Sequence, residues 1–391
     1  MLRGSLAITR LNLAGILNRV GASLVIVVGI AGVVGVLITV LAMADGFLDT
    51  MERTGRPDRA IVLRGGSNAE LASTIGRDAA VVIADGPGVK VDASGHALAS
   101  SEMVAIVELP LRQSGTSANV TVRGVGPQAF ALRPEIHLVA GRMFTPGLRE
   151  VIVGKSAQAQ FQGIDLGSHM SLRDSDWTVV GVFDCEDSHA SEIFADVDTL
   201  LTTYRRTLFQ SVTVMLDDPS RFDAFRDALQ SDPRLSVEVM GEQAYYARLS
   251  EQLSKILTFI AYVVGGIMAL GALFGALNTM YNAVSARTLE IATLRAIGFG
   301  AGPILISVFV EALLLSVVGA VIGAAVAWIF FNGDAVNSLS GNFTQVVFRL
   351  KVTPRLMGEG VLLAAVIGLL GGLFPALRAV RRPVVEALRG G

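Results

Sequence analysis

Four long apolar runs constrain this chain more than any other feature. A helix that crosses a bilayer needs roughly 20 predominantly apolar residues. The runs Val20–Ala44, Ile256–Tyr281, Pro303–Phe331 and Gly358–Val380 all reach that length. The last is the weakest, with five glycines and a late Pro375. Charged residues make up 17% of the chain, against about 25% in ordinary soluble domains, so the overall balance points the same way. The sequence "AMA" at Ala42–Ala44 has the look of a signal-peptide cleavage site. However, its apolar run is far longer than the roughly 7–15 residues of a signal peptide, and we read it as a retained span. The expected fold class is an α-helical membrane protein with four transmembrane helices. A large α+β extracytoplasmic domain is inserted between the first and second.

Arginines orient the spans. Arg3, Arg10 and Arg19 precede the first, Arg287 and Arg295 lie between the second and third, and Arg378, Arg381, Arg382 and Arg389 follow the fourth. With four spans all three sets share one side, the cytoplasm by the positive-inside rule. The loop 332–357 also carries Arg349, Lys351 and Arg355, which dilutes the bias. Both termini are then expected to be cytoplasmic. Residues 1–19 read as an amphipathic helix on the membrane face, with Leu2, Leu6, Leu13 and Leu17 at helical spacing, or as a loose basic leader. The expected segments that follow are a span at 20–44, an outer domain at 45–250 and a span at 251–281. A cytoplasmic loop follows at 282–302, a span at 303–331, an outer loop at 332–357, a span at 358–380 and a tail at 381–391. Helical spacing in "EQAYYARLSEQLSKILTFI", from Glu242, runs directly into the second span. That continuity is either a mechanical link or a plain anchor. A net charge of −2 supplies no basic field for nucleic acid.

Within the outer domain, "QSVTVML" (Gln210–Leu216) reads as a strand, "DPSRFDAFRDALQ" as a helix capped by Asp218 with Pro219 in its first turn, and "RLSVEVM" (Arg234–Met240) as a strand. A similar unit is expected earlier: "DRAIVLR" as strand, "NAELASTIGRDAAVV" as helix, and "DGPGVKVDA" as a turn into another strand. Between them, "EMVAIVEL", "ANVTVRGV", "EVIVG", "HMSLRD" and "WTVVGVFD" read as strands of a second lobe, inserted at about 100–208.

Chemistry-bearing motifs are few. Gly154-Lys155-Ser156 copies the tail of a P-loop, but the first glycine of that motif falls on Arg149. Moreover, "EVIV" runs straight into Gly154 and leaves no loop to cradle phosphate. Gly154 is better placed to end a strand, and Ser156 to begin a helix. The cluster Asp184, Cys185, Glu186, Asp187, His189 and Glu192 contains metal-ligand types, but they are adjacent rather than spaced onto one face, and we read a solvated acidic loop. The single cysteine, Cys185, permits no intrachain disulfide and no zinc spacing. Scattered histidines (His96, His137, His169) suggest no nucleophile–base set. No catalytic, cofactor or metal residues are expected.

Glu311 is an acid within the third span, about eight residues past Pro303 or ~12 Å along a helix. An intramembrane acid has a paired or functional role by default. It would pair with an arginine near the inner face, line a hydrated helix interface, or contact substrate. Glycine pairs four apart, Gly271/Gly275, Gly319/Gly323 and Gly368/Gly372, favour close helix packing or a dimer. The stretch "SARTLEIATLRAIGFG", Ser285–Gly300, sits between the second and third spans. On a helix Arg287 and Glu290 are three apart and can pair. Leu289, Ala292 and Ala296 form an apolar strip that Ile291, Leu294 and Ile297 widen, and Gly298 can end the helix. This short helix is either a solvated connector or the contact for a cytoplasmic protein.

Those residues resemble a known family. Arg287, Glu290, Leu294, Arg295, Ala296 and Gly298 match the Arg-x-x-Glu-x-x-x-Leu-Arg-Ala-x-Gly pattern of MacB/FtsX-like ABC-transporter permeases, the macrolide-exporter, lipoprotein-release and division-protein type. "EALLLSVVGAVIG", "FPALRAVRRPVVEALRGG", "GRMF", "VIVGKSAQAQF" and "WTVVGVFD" resemble further pieces of it, and so does the order of span, large domain and three spans. The resemblance implies an inner-membrane permease that works with a second copy or paralogue and with a separate cytoplasmic ATPase. That ATPase binds the ATP and Mg. It implies a coupling role for Arg287, Glu290, Leu294, Arg295 and Gly298, and mechanotransmission through the second helix to the outer domain. The expected function is export of a hydrophobic or amphipathic substrate, with a periplasmic adaptor and an outer-membrane channel as candidate partners. Lipoprotein extraction and a non-transporting switch on cell-wall hydrolases are the alternatives.

Overall fold

The computed structural model describes residues 20–298, 300–339 and 345–381. The helix expected over 1–19 and the tail with Arg382 and Arg389 lie outside them. Along the chain run α1 (Val20–Thr54), β1 (Arg59–Arg64), α2 (Arg77–Ala84), β2 (Ala99–Pro110), β3 (Ser117–Val125), α3 (Ala129–Leu132), β4 (His137–Gly141), β5 (Glu150–Gly154), α4 (Lys155–Gln160), β6 (His169–Leu172), β7 (Ser175–Asp184), β8 (Glu192–Asp196), α5 (Val197–Thr203), β9 (Ser211–Met215), α6 (Phe222–Ser231) and β10 (Val237–Gly241). Then come α7 (Glu242–Ala286), α8 (Thr288–Ala296), α9 (Ala301–Phe331), β11 (Ala335–Leu339), β12 (Gln345–Arg349) and α10 (Pro354–Arg381). The chain divides into two units. A helical unit comprises the chain through Asp45, Lys255–Asp334 and the chain from Leu350. A sheet unit comprises Gly46–Ser254 with Ala335–Arg349.

Helices α1, α7, α9 and α10 are each long and apolar enough to cross a membrane. In the helical unit, close approach falls where glycine replaces a side chain. A Cβ at Gly319 would stand 2.8 Å from the Val27 carbonyl oxygen, and one at Gly323 would overlap that of Ala31, so α9 lies against the backbone of α1. A Cβ at Gly368 would overlap the Ser316 hydroxyl, and one at Gly372 would stand 2.9 Å from Ala312 Cβ, so α10 lies against α9. Gly271 and Gly275 of α7 meet no atom within 4 Å. Pro375 sits inside α10 without ending it.

Several elements outrun their expected bounds. Helix α1 continues ten residues past Ala44 because Phe47 and Met51 are buried and Asp49 pairs with Arg53 one turn on, at 2.9 Å. The stretch 332–357, expected as a loop, holds the antiparallel hairpin β11–β12 and the start of α10. Its period-two pattern is short: Val346 and Phe348 are buried, and Arg349 is exposed. The helix expected over 68–82 is split. Ile75 exchanges backbone hydrogen bonds with Phe209, leaving a 3₁₀ turn at Glu70–Ala72 before α2. The strand–helix–strand β9–α6–β10 follows the reading from sequence with two shifts: Asp218 caps a 3₁₀ turn at Pro219–Arg221 ahead of α6, accepting from Ser220 N–H at 2.8 Å, and the second strand starts at Val237 rather than Arg234.

Ten strands of the sheet unit form one sheet, in the order β10-β1-β9-β2-β3-β8-β5-β7-β4, with β6 on β7. Strand β2 joins its halves: Ala99–Glu102 pair with β9, and Met103–Pro110 with β3. The register also assembles charges. Arg123 of β3 stands opposite Val104 of β2 and Phe194 of β8. Glu102 and Glu192 lie two residues from those partners, on the same face by the strand period. Arg123 therefore pairs with Glu192 at 2.7 Å, Glu102 at 3.0 Å and Glu70 of the 3₁₀ turn at 2.8 Å. Arg133 reaches Glu102 at 2.7 Å, and Arg59 reaches Glu242 at 2.6 Å and Glu135 at 2.7 Å. Arg59, Arg123, Arg133, Glu70, Glu102 and Glu242 are all buried.

Burial opposes the charge on Glu102, but Arg133 and then Arg123 outweigh it and hold the carboxyl at about 2 against an ordinary 4.5. A depressed carboxyl pKa contributes stability that is full above the ordinary value and is lost as pH falls through the folded one. Glu102→Gln should therefore lower the urea midpoint, read by the fluorescence of buried Trp177. The gap from wild type should hold steady above 4.5 and close as pH falls toward about 2. A shift of this size corresponds to on the order of 3 kcal/mol.

Candidate functional site: the connector between α7 and α9

Helix α7 ends at Ala286, and Arg287 leaves the helical cylinder with φ −103° and ψ 12°. Its carbonyl accepts from Ile291 N–H at 2.9 Å, so α8 starts immediately. Gly298, at φ +99°, ends the connector in the left-handed region that favours glycine. Its N–H donates to the Arg295 carbonyl at 3.1 Å.

Arg287 caps α8 rather than lying within it, so the three-residue helical spacing to Glu290 does not bring that pair together. Its guanidinium instead donates to Glu311 of α9 at 3.1 Å, both residues being buried. Of the roles open to Glu311, pairing with an arginine is the one the structure shows. The second arginine, Arg295, donates to the Val380 carbonyl in the last turn of α10 at 3.0 Å. Two side chains thus fasten α8 to two different helices. Arg378 of α10 stands over the Tyr281 ring of α7, 5.6 Å from its centroid.

The faces of α8 differ from the expected strip. Ala292 is buried, and Ile291 and Leu294 are half-buried. Leu289 is 53% and Ile297 69% exposed, and Glu290, Thr293 and Ala296 are also exposed. The inward face is set by the arginines that anchor it, so the larger apolar residues opposite are left outside.

The other motifs resolve as structure. Gly154 ends β5, and α4 starts at Lys155, whose ammonium pairs with Asp184 at 2.9 Å. A Cβ on Gly154 would overlap the Ala190 carbonyl. The acidic loop expected at 184–192 is only partly solvated. Glu186 is exposed, but Asp187, Ser188, His189 and Ser191 are buried. Asp187 caps a 3₁₀ turn, accepting from His189 N–H at 2.9 Å and from the Cys185 thiol at 3.1 Å. Burial, with Asp187 beside it, pushes that thiol well above its ordinary value, so it is not a reactive thiolate. Burial opposes the imidazolium of His189, but Asp187, 3.1 Å away, raises its pKa overall. Among the described residues no group of three His, Cys, Asp or Glu is placed to hold a metal ion.

The model of the MacB-like periplasmic core domain matches residues 22–232, and that of the FtsX-like permease C-terminal matches 262–384. The chain belongs to the MacB/FtsX-like permeases of ABC transporters. The connector lies within the second match. An uncharacterized ABC transporter permease, YknZ of Bacillus subtilis, is 23% identical over 207 residues, 51% of this chain and 49% of that protein. The macrolide export ATP-binding/permease protein MacB of Marinobacter nauticus is 27% identical over 237 residues, 57% of this chain and 35% of that protein. The chain thus spans half or less of the length of these relatives. A crystal structure of the periplasmic region of MacB from Actinobacillus actinomycetemcomitans matches with a TM-score of 0.38 and 16% identity, over 49% of this chain and 92% of that one.

The Arg287–Glu311 pair makes a separable prediction for this MacB/FtsX-like permease. Removing one partner of a buried pair strands the other and costs roughly 3–5 kcal/mol, whereas replacing both with apolar residues is far milder. Glu311→Leu, which leaves Arg287 buried without its carboxylate, should lower the melting temperature of the detergent-purified protein by several degrees. Adding Arg287→Met to that variant should bring the melting temperature back toward wild type.

Proposed function

We propose that this chain is the permease of an ABC transporter whose connector, α8, receives the motion of an ABC ATPase. The observation that carries this reading is the exposed apolar face of α8, with Leu289 at 53% and Ile297 at 69% exposure, on a helix fastened from behind by Arg287 and Arg295. Such a face is built to be pushed: a partner gains apolar burial there, and the load passes into α9 and α10. Exposed Glu290 beside it offers a carboxylate to a basic partner residue. With the termini and connector in the cytoplasm, the ATPase binds ATP and Mg²⁺ and supplies the hydrolysis, and this chain supplies the contact.

On this reading α7, 45 residues without a proline, carries displacement from the connector toward the sheet unit in the periplasm. There the moving domain drives a hydrophobic or amphipathic substrate outward, toward an adaptor and outer-membrane channel. The name of the Marinobacter nauticus relative, a macrolide exporter, supports that substrate class. A second copy of the permease is proposed to cover α7. Open Gly271 and Gly275, with Phe259, Ile267 and Phe274 between 67% and 69% exposed, support that contact.

Purification from native membranes in mild detergent tests the reading. Wild type should bring down an ABC ATPase in stoichiometric amount. Leu289→Asp and Glu290→Lys should each reduce that yield roughly tenfold, as for a residue central to an interface. Recovery of the permease with no ATPase, even after crosslinking, would overturn the assignment.

A further inference from the structure

The turn from Asp187 to Ser191 belongs to no expected site, yet it touches every segment by which the chain enters or leaves the sheet unit. Those passages fall at 45/46, 254/255, 334/335 and 349/350. At the end of α1, the buried Thr54 hydroxyl lies 2.9 Å from the Ser188 hydroxyl and accepts from Ser188 N–H at 3.1 Å. At the start of α7, the Tyr246 hydroxyl meets His189 Nε2 at 3.3 Å, with the two rings edge to face at 5.9 Å. In the β11–β12 hairpin, Val347 N–H donates to the Ser191 hydroxyl at 3.0 Å. Three residues of one turn thus hold three segments far apart in sequence.

The turn is itself rigidly seated. Asp187 binds both the backbone N–H and Nδ1 of His189, which fixes the ring so that Nε2 faces Tyr246. The Ala190 carbonyl presses on Gly154, where no side chain fits. Two direct contacts between the gathered segments reinforce it. A Cβ on Gly55 would overlap the backbone of Gln243, and Phe47 of α1 stacks edge to face on Phe348 of β12 at 5.4 Å.

We propose that the Asp187–Ser191 turn is the joint that makes the end of α1, the start of α7 and the β11–β12 hairpin move as one body. In the transporter this positions the three segments: a displacement arriving along α7 is shared with the other two rather than bending α7 alone. The proposal rests on the reading of α7 as the transmitting helix, but the joint can be tested without ATP.

Hydrogen exchange of the full chain in nanodiscs supplies the test. Thr54→Val keeps the shape of the side chain and removes its hydroxyl. If the three segments open as one cooperative unit, exchange should rise roughly tenfold, the effect of one lost buried hydrogen bond. It should rise at 242–247 and 345–349 as well as at 50–54, with the urea midpoint of the sheet little changed. Thr54→Ser, which keeps the hydroxyl, should exchange as wild type does. A rise confined to 50–54 would overturn the joint. With the partner ATPase, ATP and vanadate, all three segments should respond together in wild type, and Ser191→Ala should drop 345–349 from the response. A wild type that hydrolyses ATP with no response in any segment would overturn the transmission reading alone, and the Thr54→Val result would still decide the joint.

Discussion

A guanidinium withdrawn from water is tolerable only when carboxylates surround it, and the sheet unit is arranged around that requirement at Arg123. Its three carboxylate partners come from a 3₁₀ turn, from β2 and from β8. Satisfying one side chain therefore fixes the spacing of strands from both halves of the sheet. Glu102 passes the constraint on to Arg133, and Arg59 binds Glu242, the first residue of α7. The long helix thus begins inside a buried ionic cluster rather than at a free surface. Breaking the cluster would strand charge, so it resists partial opening more than apolar packing of the same volume.

The helical unit solves a related problem with fewer parts. Its helices satisfy their own backbones, and contact between them comes from glycines that let α9 approach α1 and α10 approach α9. Its buried charges among the described residues, Arg287 and Glu311, lie where the connector meets α9. There Arg287 and Arg295 make opposite uses of the same group: one neutralises a buried acid, and the other caps the carbonyl end of a helix. Together they define which face of α8 is left exposed.

What the sequence revealed and what it hid follow from the range of the interactions. The strand–helix–strand β9–α6–β10 was legible because its signals are local: β-branched alternation, then Asp218-Pro219. The four long helices were legible by length alone. The charge cluster was not, because Glu70, Glu102, Arg123, Glu192 and Glu242 are tens of residues apart and meet only through strand register and the packing of the turn and of α7 on the sheet. Within "ANVTVRGV" nothing local marks Arg123 for burial. The short hairpin β11–β12 offered too few residues for its period to stand out. Helical spacing allows Arg287 to pair with Glu290 because no glycine or proline marks the break after Ala286. The helix turns there without a signal, and the true partner lies 24 residues ahead. The acidic stretch at 184–192 misled for a different reason, since composition favours solvent where tertiary contacts have buried Asp187 and His189.

The first turn of α7 has one further consequence. Within the sheet unit Glu242 binds Arg59, the Tyr245 hydroxyl accepts from Glu70 N–H at 3.1 Å, and the Tyr246 hydroxyl meets His189. One residue inserted between Glu242 and Tyr245 would turn both tyrosines about 100° against the glutamate, and the glutamate's contact could then no longer form together with those of the tyrosines. The spacing of this turn is therefore fixed to the residue, while the loops of the sheet unit can vary one residue at a time.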